Sequence, residues 1–416
     1  MENVFDIRRE EELYYIVDSS GESTIKQEDK RNNRIAVIMY LYYPDMLSRW
    51  IGYISAIPPY VEKIIISSNE TIIRSIEECK EFEDVKLIKK PNEGRDVSAL
   101  LIEAKESIVN ADYVCFVHDK KEHQNPQREY ETDFWVANIW DNMLGKSPKY
   151  LENVIGLFED NNELGVLLPP EPIGYYYDTW AGKGWYGSYD ATRKLADILS
   201  LKCEMSLDKP PISIGTALWF RVPALNKLFS YDWKYSDFDD DKLANGGDYL
   251  SYGVERIFPY VAQDAGYKTG MLMTSEYAKK QTAISQDLCV IYSKTLSKLI
   301  GISSAKECME ILERYDSLEA VCKKAGDIYL YGAGYWGKIL LNLIRIMGYS
   351  PKAFLVSEES DNKNVQLSVL KYGEENLGHD DIVIIAVSNI DAIKNIAKKL
   401  DDKGYNYFAF WDENNG

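Results

Sequence analysis

The chain has 416 residues, more than one ordinary hydrophobic core holds, so its length predicts two or more domains. Acidic residues outnumber basic ones 66 to 48, and the net charge of -18 argues against nucleic acid as a partner, because nucleic-acid binding needs a basic surface. The three histidines are too few for a histidine-rich metal site.

Residues 1–33 are polar and predict an N-terminal extension, with no apolar stretch of the kind found in a signal peptide. No apolar run along the chain reaches the length of a membrane span. We therefore expect a cytoplasmic protein, and peripheral association with membrane-bound machinery at the inner face of the membrane stays open.

From Arg34 onward, runs of apolar and β-branched residues alternate with amphipathic helical stretches. The pattern predicts strands over 34–41, 61–67, 85–88 and 113–117, with helices over 45–56, 71–79 and 97–109. A βαβαβαβ series is typical of an α/β fold with a doubly wound, mostly parallel sheet. Ligands of such sheets bind beyond the carboxyl ends of the strands.

A second half of this domain, with a mixed pattern, extends to about residue 280, so the sequence predicts one domain over 34–280. Here the pattern favours helices over 135–144, 150–160, 191–199 and 248–260, and strands over 166–168 and 212–221. Residues 281–325 predict a helical connector. Residues 326–416 predict a small Rossmann-like domain with strands over 328–331, 353–356, 382–387 and 408–411.

Several short motifs occur in order along residues 34–280, and together they carry a resemblance that none carries alone. They are Tyr43-Pro44-Asp45, Asn92-Glu93-Gly94-Arg95-Asp96, His118-Asp119-Lys120, Phe134-Trp135, Leu164-Gly165-Val166, Gly215-Thr216-Ala217-Leu218-Trp219-Phe220-Arg221 and Glu255-Arg256. With these motifs the chain resembles the rhamnan synthesis F family of polysaccharide glycosyltransferases.

The resemblance implies a GT-A-like fold and a nucleotide-diphospho-sugar donor, often dTDP-rhamnose. It also implies a role in making rhamnose-containing or similar surface glycans. On this basis we expect a dTDP- or UDP-sugar donor and a glycan or lipid-linked glycan acceptor. The chain departs from the family pattern at Asp119, where a Thr or similar residue is usual, and over 246–253.

Donor binding is expected at the predicted strand ends, because the diphosphate charge must be neutralised there. Gly94 would let the backbone approach the nucleotide, Arg95 could pair with phosphate, and Asp96 could contact a base, ribose or sugar hydroxyl or cap the helix. The full set of expected donor-binding residues is Ser67, Asn69, Asn92, Gly94, Arg95, Asp96, His118, Lys120 and Lys121.

Metal use is left open by the sequence, because most GT-A enzymes hold a divalent ion with two carboxylates and this strand end offers only Asp119. Magnesium or manganese could bind Asp119 together with phosphate and water oxygens. Alternatively, Lys120 or Lys121 could neutralise the diphosphate directly. No redox cofactor is expected.

Transfer with inversion at the anomeric carbon needs an acidic general base on the acceptor side. Asp248, which follows two glycines, is the first candidate, and Glu255 on the same predicted helix is the second. Either could instead be structural, Asp248 as a helix cap and Glu255 in an ion pair with Arg256.

The acceptor is expected to lie against aromatic side chains, because the C–H edges of sugar rings pack on aromatic faces. The expected acceptor residues are Trp180, Trp185, Trp219 and Arg221, with core packing as the alternative for Trp219.

The C-terminal domain contains Gly332, Gly334 and Gly337 in the spacing of a nucleotide-binding fingerprint between a strand and a helix. This loop keeps two other functions open, a nucleotide-binding oxidoreductase or epimerase and a non-catalytic scaffold of polysaccharide assembly. No catalytic Tyr-x-x-x-Lys pair accompanies the loop, so an assembly or regulatory role for this domain is favoured.

Overall fold

The computed structural model describes residues 13–19, 33–121, 126–171, 185, 187–208, 210–211, 213, 215–238, 250–357, 367–375 and 377–412. These residues fall into two compact units, and the boundary between the units lies between Ile284 and Ser285. The first unit contains an eight-stranded sheet and the second a five-stranded sheet.

The strands of the first unit are β1 (Tyr14–Val17), β2 (Ile35–Tyr40), β3 (Glu62–Ser67), β4 (Val85–Lys89), β5 (Tyr113–His118), β6 (Leu164–Leu168), β7 (Leu218–Arg221) and β8 (Lys268–Thr274). Their order across the sheet is β1-β8-β6-β7-β5-β2-β3-β4. Only β7 runs antiparallel to its neighbours β5 and β6 among the described pairings. The carboxyl ends of the other strands therefore share one edge of the sheet.

The helices of the first unit connect these strands. They are α1 (Leu47–Ile54), α2 (Glu70–Glu78), α3 (Arg95–Ser98), α4 (Lys105–Val109), α5 (Pro126–Met143), α6 (Pro148–Asp160), α7 (Tyr189–Ile198), α8 (Asn226–Ser230), α9 (Leu250–Asp264) and α10 (Ser275–Ile300). A π-helical segment, Ala99–Glu103, separates α3 from α4. Helix α10 contains the boundary between the units.

Both faces of the large sheet are buried, which explains the continuous apolar runs of its central strands. Alternate residues of β2 show this: Ala36 and Ile38 lie in one hydrophobic core, and Val37 and Met39 lie in the other. On the first face, α9 packs closely on α7 at Gly253, where an added Cβ would lie 2.9 Å from the carbonyl oxygen of Ala191. This close approach positions the helix that carries Glu255.

The second unit has an all-parallel sheet of β9 (Ile328–Tyr331), β10 (Ala353–Val356), β11 (Ser368–Lys371), β12 (Ile382–Ile385) and β13 (Asn406–Ala409). The order β11-β10-β9-β12-β13 is that of a Rossmann-like sheet. Its helices are α11 (Ala305–Leu312), α12 (Tyr315–Lys324), α13 (Tyr335–Ile346) and α14 (Ile390–Asp401).

The predicted fold class, an α/β protein with a mostly parallel sheet and a separate smaller sheet, is confirmed. Two parts of the predicted organisation need correction. The N-terminal extension contributes β1 to the large sheet. The predicted connector belongs to the second unit from Ser285 onward, because Ile311 and Leu318 pack in the same core as β9.

Candidate functional site

A tightly turned loop follows β4 and leads into α3. Gly94 and Arg95 both have left-handed backbone angles, with φ of +66° and +51°. A Cβ at Gly94 would lie 2.7 Å from Cβ of Ser98, so only glycine fits there. Arg95 is one of two non-glycine residues with positive φ among those described, and such strain often accompanies a functional site.

Lys90 holds this loop from the inside, since the side chain is buried and its Nζ donates hydrogen bonds of 2.8 Å to the carbonyl oxygens of Pro91 and Glu93. The ammonium lies 5.3 Å from the ring centre of Tyr40 and 5.8 Å from that of Tyr235. Burial lowers the pKa of Lys90 to about 8, against attraction to nearby carboxylates. The hydrogen bonds from Lys90 therefore fix the loop, and they require the charged ammonium to be removed from water, which is unfavourable.

The loop brings Asp96 against the end of β5. The Nε2 atom of His118 lies 3.9 Å from Oδ2 of Asp96, and the two side chains are 7% and 19% exposed. Nδ1 of His118 lies 2.9 Å from the carbonyl oxygen of Asp119. Because a carbonyl can only accept, Nδ1 is the donor of this bond, and Nε2 is the ring atom that faces Asp96.

Helix α9 adds Glu255 and Arg256 to this group. The carboxylate of Glu255 is 25% exposed and lies 3.8 Å from the buried guanidinium of Arg256. Arg256 also donates a 2.5 Å hydrogen bond to the carbonyl oxygen of Ser213, and the Ser213 hydroxyl donates to the carbonyl oxygen of Glu255. Arg256 is thereby committed to fastening the segment before β7 onto the helix.

The two carboxyl groups of this cluster have pKa values shifted in opposite directions. Burial favours the neutral form of Asp96, but attraction to His118, the nearby Thr216 hydroxyl and attraction to Lys120 outweigh burial and lower its pKa. Burial, followed by repulsion from Asp96, raises the pKa of Glu255, with Arg256, Lys120 and His118 opposing. Two carboxyl groups whose pKa values are shifted apart can take different roles in proton transfer.

We call Asp96, His118, Lys120 and Glu255 the ionisable cluster. Lys120 is exposed, and its Nζ lies 4.7 Å from the ring centre of Trp135 on α5. Within the described part of the chain, buried Nε2 of His118 and buried Oγ of Ser251 have no hydrogen-bond partner. Ser251 lies one turn before Glu255 on the same face of α9. Unsatisfied buried polar atoms are rare in native structures, so these two mark the cluster as a candidate binding site.

Asp119 and Lys121 lie beside the cluster but have other partners. Both carboxylate oxygens of Asp119 accept hydrogen bonds of 2.9–3.0 Å from the backbone amides of Tyr42 and Tyr43. Burial raises the pKa of Asp119 to about 6 despite these bonds. Lys121 lies 2.5 Å from Asp45. Asp119 therefore fastens the loop after β2.

Three predicted donor residues lie at the ends of β3 and β4 and shape the local backbone. Ser67 is buried and donates to the carbonyl oxygen of Leu41 at 2.6 Å. Asn69 caps α2 by accepting from the amides of Thr71 and Ile72. Asn92 is exposed, and Ser68 donates to its side-chain oxygen at 3.3 Å. Of the three, only Asn92 has an exposed side chain.

The predicted acceptor residues are not assembled at this site. Trp185 is 3% exposed and packs against Tyr260, and Trp219 is fully buried and donates to the carbonyl oxygen of Met143. Arg221 pairs in register with Tyr113, at the opposite end of β5 from His118. These positions assign the three side chains to structural roles. Trp180 and Asp248 lie outside the described residues.

The sequence reasoning missed Lys90, Ser213 and Trp135 as parts of the site. Lys90 has a weak signal in the sequence, as a lysine at the end of a predicted strand directly before Pro91 and the Asn92–Asp96 motif. Trp135 has a signal only in the Phe134-Trp135 motif, which does not indicate its contact with Lys120. Ser213 has none, because its role depends on a contact with α9 that only the fold creates.

The glycine loop of the second unit has the predicted local form. Gly332 has a φ of +108°, and a Cβ at Gly337 would lie 1.9 Å from the carbonyl oxygen of Gly332. At Gly334 an added Cβ would have no atom within 4 Å. Glu358 and Glu359, which follow β10 in the sequence, lie outside the described residues.

Two kinds of feature are absent from the described ranges. No helix there is both long enough and apolar enough to cross a membrane. No group of three or more His, Cys, Asp or Glu side chains in those ranges could hold a metal ion.

The fold and the ionisable cluster define an α/β protein with a group of ionisable side chains at the carboxyl end of β5 and on the neighbouring helix α9. Residues 1–267 match the model of the family described as Rhamnan synthesis protein F, and the chain belongs to this family. Membership implies a role in the synthesis of rhamnan or a related polysaccharide. A comparison with curated proteins gave no match.

Proposed function

We propose that the first unit is an inverting glycosyltransferase that moves a sugar, rhamnose in the first instance, from a nucleotide-diphospho-sugar to a growing surface polysaccharide. The observation that carries this proposal is the pair of carboxyl groups, Asp96 and Glu255, whose pKa values are shifted apart around His118 and Lys120. Family membership supports the polysaccharide context.

Glu255 acts as the general base in this proposal. The acceptor hydroxyl oxygen forms a bond to the anomeric carbon, its proton passes to Glu255, and the bond from that carbon to the diphosphate oxygen breaks. A carboxylate with a raised pKa suits this role, because its basicity lies closer to the working pH. Arg256 holds the base in place through its contact with the carboxylate.

Lys120 takes the negative charge of the departing diphosphate. It is exposed and stacked over Trp135, so its ammonium is available at the cleft surface. Arg95, held at a strained backbone position, and Asn92 are the proposed contacts for the dTDP or UDP portion. Since Asp119 is occupied by backbone amides, no step is assigned to a metal ion.

The proposal places the reaction in the cytoplasm, where nucleotide sugars are available, with a glycan or lipid-linked glycan acceptor at the inner face of the membrane. The negative net charge supports peripheral association through a protein partner rather than through anionic lipid.

Replacement of the base tests the chemistry. In an assay with dTDP-rhamnose and a rhamnan oligosaccharide, Glu255→Gln should lower transfer by about 10²–10⁴-fold, as expected for loss of general base catalysis. Binding of dTDP should be unchanged, because the base lies on the acceptor side.

Asp248→Asn is the matched comparison, since Asp248 is the other candidate base. Near-normal transfer by Glu255→Gln together with an inactive Asp248→Asn would move the base to Asp248. Near-normal transfer by both, or a product with retained anomeric configuration, would contradict the mechanism.

A further inference from the structure

A concave feature of the first unit is a cavity of about 780 Å³ between α5 and the first turns of α10. Its volume lies in the range of about 300–1,000 Å³ that small-molecule sites occupy. Phe134, Ala137 and Asp141 line it from one stripe of α5, and Tyr277 and Lys280 line it from α10. It contains none of the ionisable cluster.

The cavity opens at the same edge of the sheet as the cluster. Ser19, just after β1, and Thr274, the last residue of β8, both line it. Strands β1, β8 and β6 are mutually parallel, and two antiparallel pairings through β7 make β6 parallel to β5. The carboxyl ends of β8 and β5 therefore face the same way.

Helix α5 separates the two features and contributes to both. Trp135 contacts Lys120 and lies 6.3 Å from the ring of His118, measured between centroids. The preceding residue, Phe134, and Asn138 one turn later line the cavity. A ligand that extended over the exposed side of α5 would reach from one to the other.

Charge distinguishes the cavity from the cluster. Its carboxylates, Asp141 and Glu276, are matched in number by two ammonium groups, Lys146 and Lys280. Lys280 lies 2.6 Å from Glu276, and the hydroxyl of Tyr53 donates to Asp141 at 2.5 Å. A balanced lining favours a neutral ligand over a phosphate or nucleotide, which would need an excess of cations.

The walls of the cavity are fixed by buried amides. The side chain of Asn138 donates to the carbonyl oxygen of Pro170 at 2.8 Å, and that of Asn142 donates to the carbonyl oxygen of Asn138 at 2.8 Å. The side-chain oxygen of Asn142 accepts from the amide of Thr274 at 2.9 Å. These bonds tie α5 to the ends of β6 and β8, so the cavity is pre-formed.

We propose that this cavity binds a sugar ring of the acceptor glycan, an inference that rests on the proposed transferase function. Phe134 and Tyr277 offer aromatic surface for the C–H edges of the ring, and the charged and hydroxyl groups offer hydrogen bonds to a polyhydroxylated, uncharged ligand. This site replaces Trp185 and Trp219 as the proposed acceptor surface, because both side chains are buried in the core.

A cavity-filling variant tests the inference by direct binding. Ala283 lines the cavity, and Ala283→Trp would fill it with an indole ring. Thr282→Trp is the matched control, because Thr282 is an exposed neighbour on the same helix that does not line the cavity. Calorimetry with a rhamnan tetrasaccharide should show binding weakened by about tenfold or more in Ala283→Trp, since the space is taken. Affinity for dTDP should be equal in the wild type and both variants.

Asp141→Asn keeps the shape of the cavity and provides a second measurement if Ala283→Trp does not fold. It should weaken tetrasaccharide binding several-fold. Three results would each overturn the inference. The folded variants could bind the tetrasaccharide as tightly as the wild type, or the wild type could fail to bind it. The variants could also lose affinity for dTDP while they keep their affinity for the tetrasaccharide. Failure of the transferase chemistry is a separate result, since it would be seen with Glu255→Gln while tetrasaccharide binding is unchanged.

Discussion

Two glycine loops join a strand to a helix in this molecule, one after β4 and one after β9. Both contain a glycine with a left-handed backbone that a side chain would strain, at Gly94 and at Gly332. Their surroundings differ. The first loop ends in Asp96, beside His118, whereas an added Cβ at Gly332 would meet Val387 and the backbone of Ala386.

The comparison separates backbone shape from chemistry. A glycine pattern specifies a tight turn, and both loops have one, but acid–base chemistry needs ionisable groups from other parts of the fold to converge on it. At the first loop the convergence comes from β5 and α9. We therefore expect substitutions in the two loops to have different consequences.

The largest effect is expected at Gly337. Gly337→Ala would put a Cβ 1.9 Å from the carbonyl oxygen of Gly332, a backbone atom that cannot move without opening the turn. We expect destabilisation of the second unit by about 3 kcal/mol or more, measured by hydrogen exchange of β9 and α13. In Gly334→Ala the added Cβ has open space around it, so the amides of β9 and α13 should exchange at the wild-type rate. Equal protection of both variants would contradict this account of the turn.

Gly94→Ala is expected to destabilise the first unit by about 1–3 kcal/mol and to weaken dTDP binding, because Arg95 and Asp96 would shift. The control is Gly187→Ala, which has a similar φ of +77° but no atom within 4 Å of its Cβ. The difference between the two variants in urea unfolding isolates the crowding at Ser98. If Gly94→Ala bound dTDP as tightly as the wild type, the loop would not be part of the donor site.

The coupling of the two carboxyl groups gives a third prediction. Repulsion from ionised Asp96 raises the pKa of Glu255, so Asp96→Asn should lower that pKa. A general base must be deprotonated, so the acid limb of kcat/KM against pH should move to lower pH in Asp96→Asn. Asp133→Asn, on the exposed pair with Arg49, is a suitable control. An unmoved limb would show that Asp96 does not act on the base.

The smallest effect concerns Lys90. Its pKa is about 8 in the folded protein and near the ordinary 10.5 in the unfolded chain. Between these values the unfolded chain binds more protons, so stability should rise with pH, by at most about 1.4 kcal/mol per pH unit. Urea unfolding of the wild type and Lys90→Met at pH 7, 8, 9 and 10 should show this slope only in the wild type. A common slope would mean that Lys90 is not desolvated.

The strands that the sequence predicted well are the central ones, because β2, β3 and β5 are buried on both faces and appear as apolar runs. The sequence did not predict β1, β8 or β11. Strand β1 is largely exposed at an edge, β8 contains Gly270, and β11 is a short, half-exposed edge strand. The two edge strands lack the burial pattern on which the prediction depends, and Gly270 interrupts the apolar run of β8 although the middle of that strand is buried.

Within the site, the local parts were predictable and the long-range parts were not. Gly94 and Asp96 could be placed at a strand end from the pattern alone. Glu255 lies near Asp96 because α9 packs closely against α7. Trp219 lies in the core because β7 pairs antiparallel with β5 inside the sheet. No periodicity encodes these contacts.

The position of β8 between β1 and β6 has a consequence for dissecting the protein. The family match ends at residue 267, one residue before β8 begins. A fragment cut at that point would lose the strand that joins β1 to the sheet, and it would leave the hydrogen-bonding groups of β6 open to pairing with other molecules. We expect residues 1–267 to aggregate on expression, and residues 1–284 to give the smallest monodisperse piece that still binds dTDP.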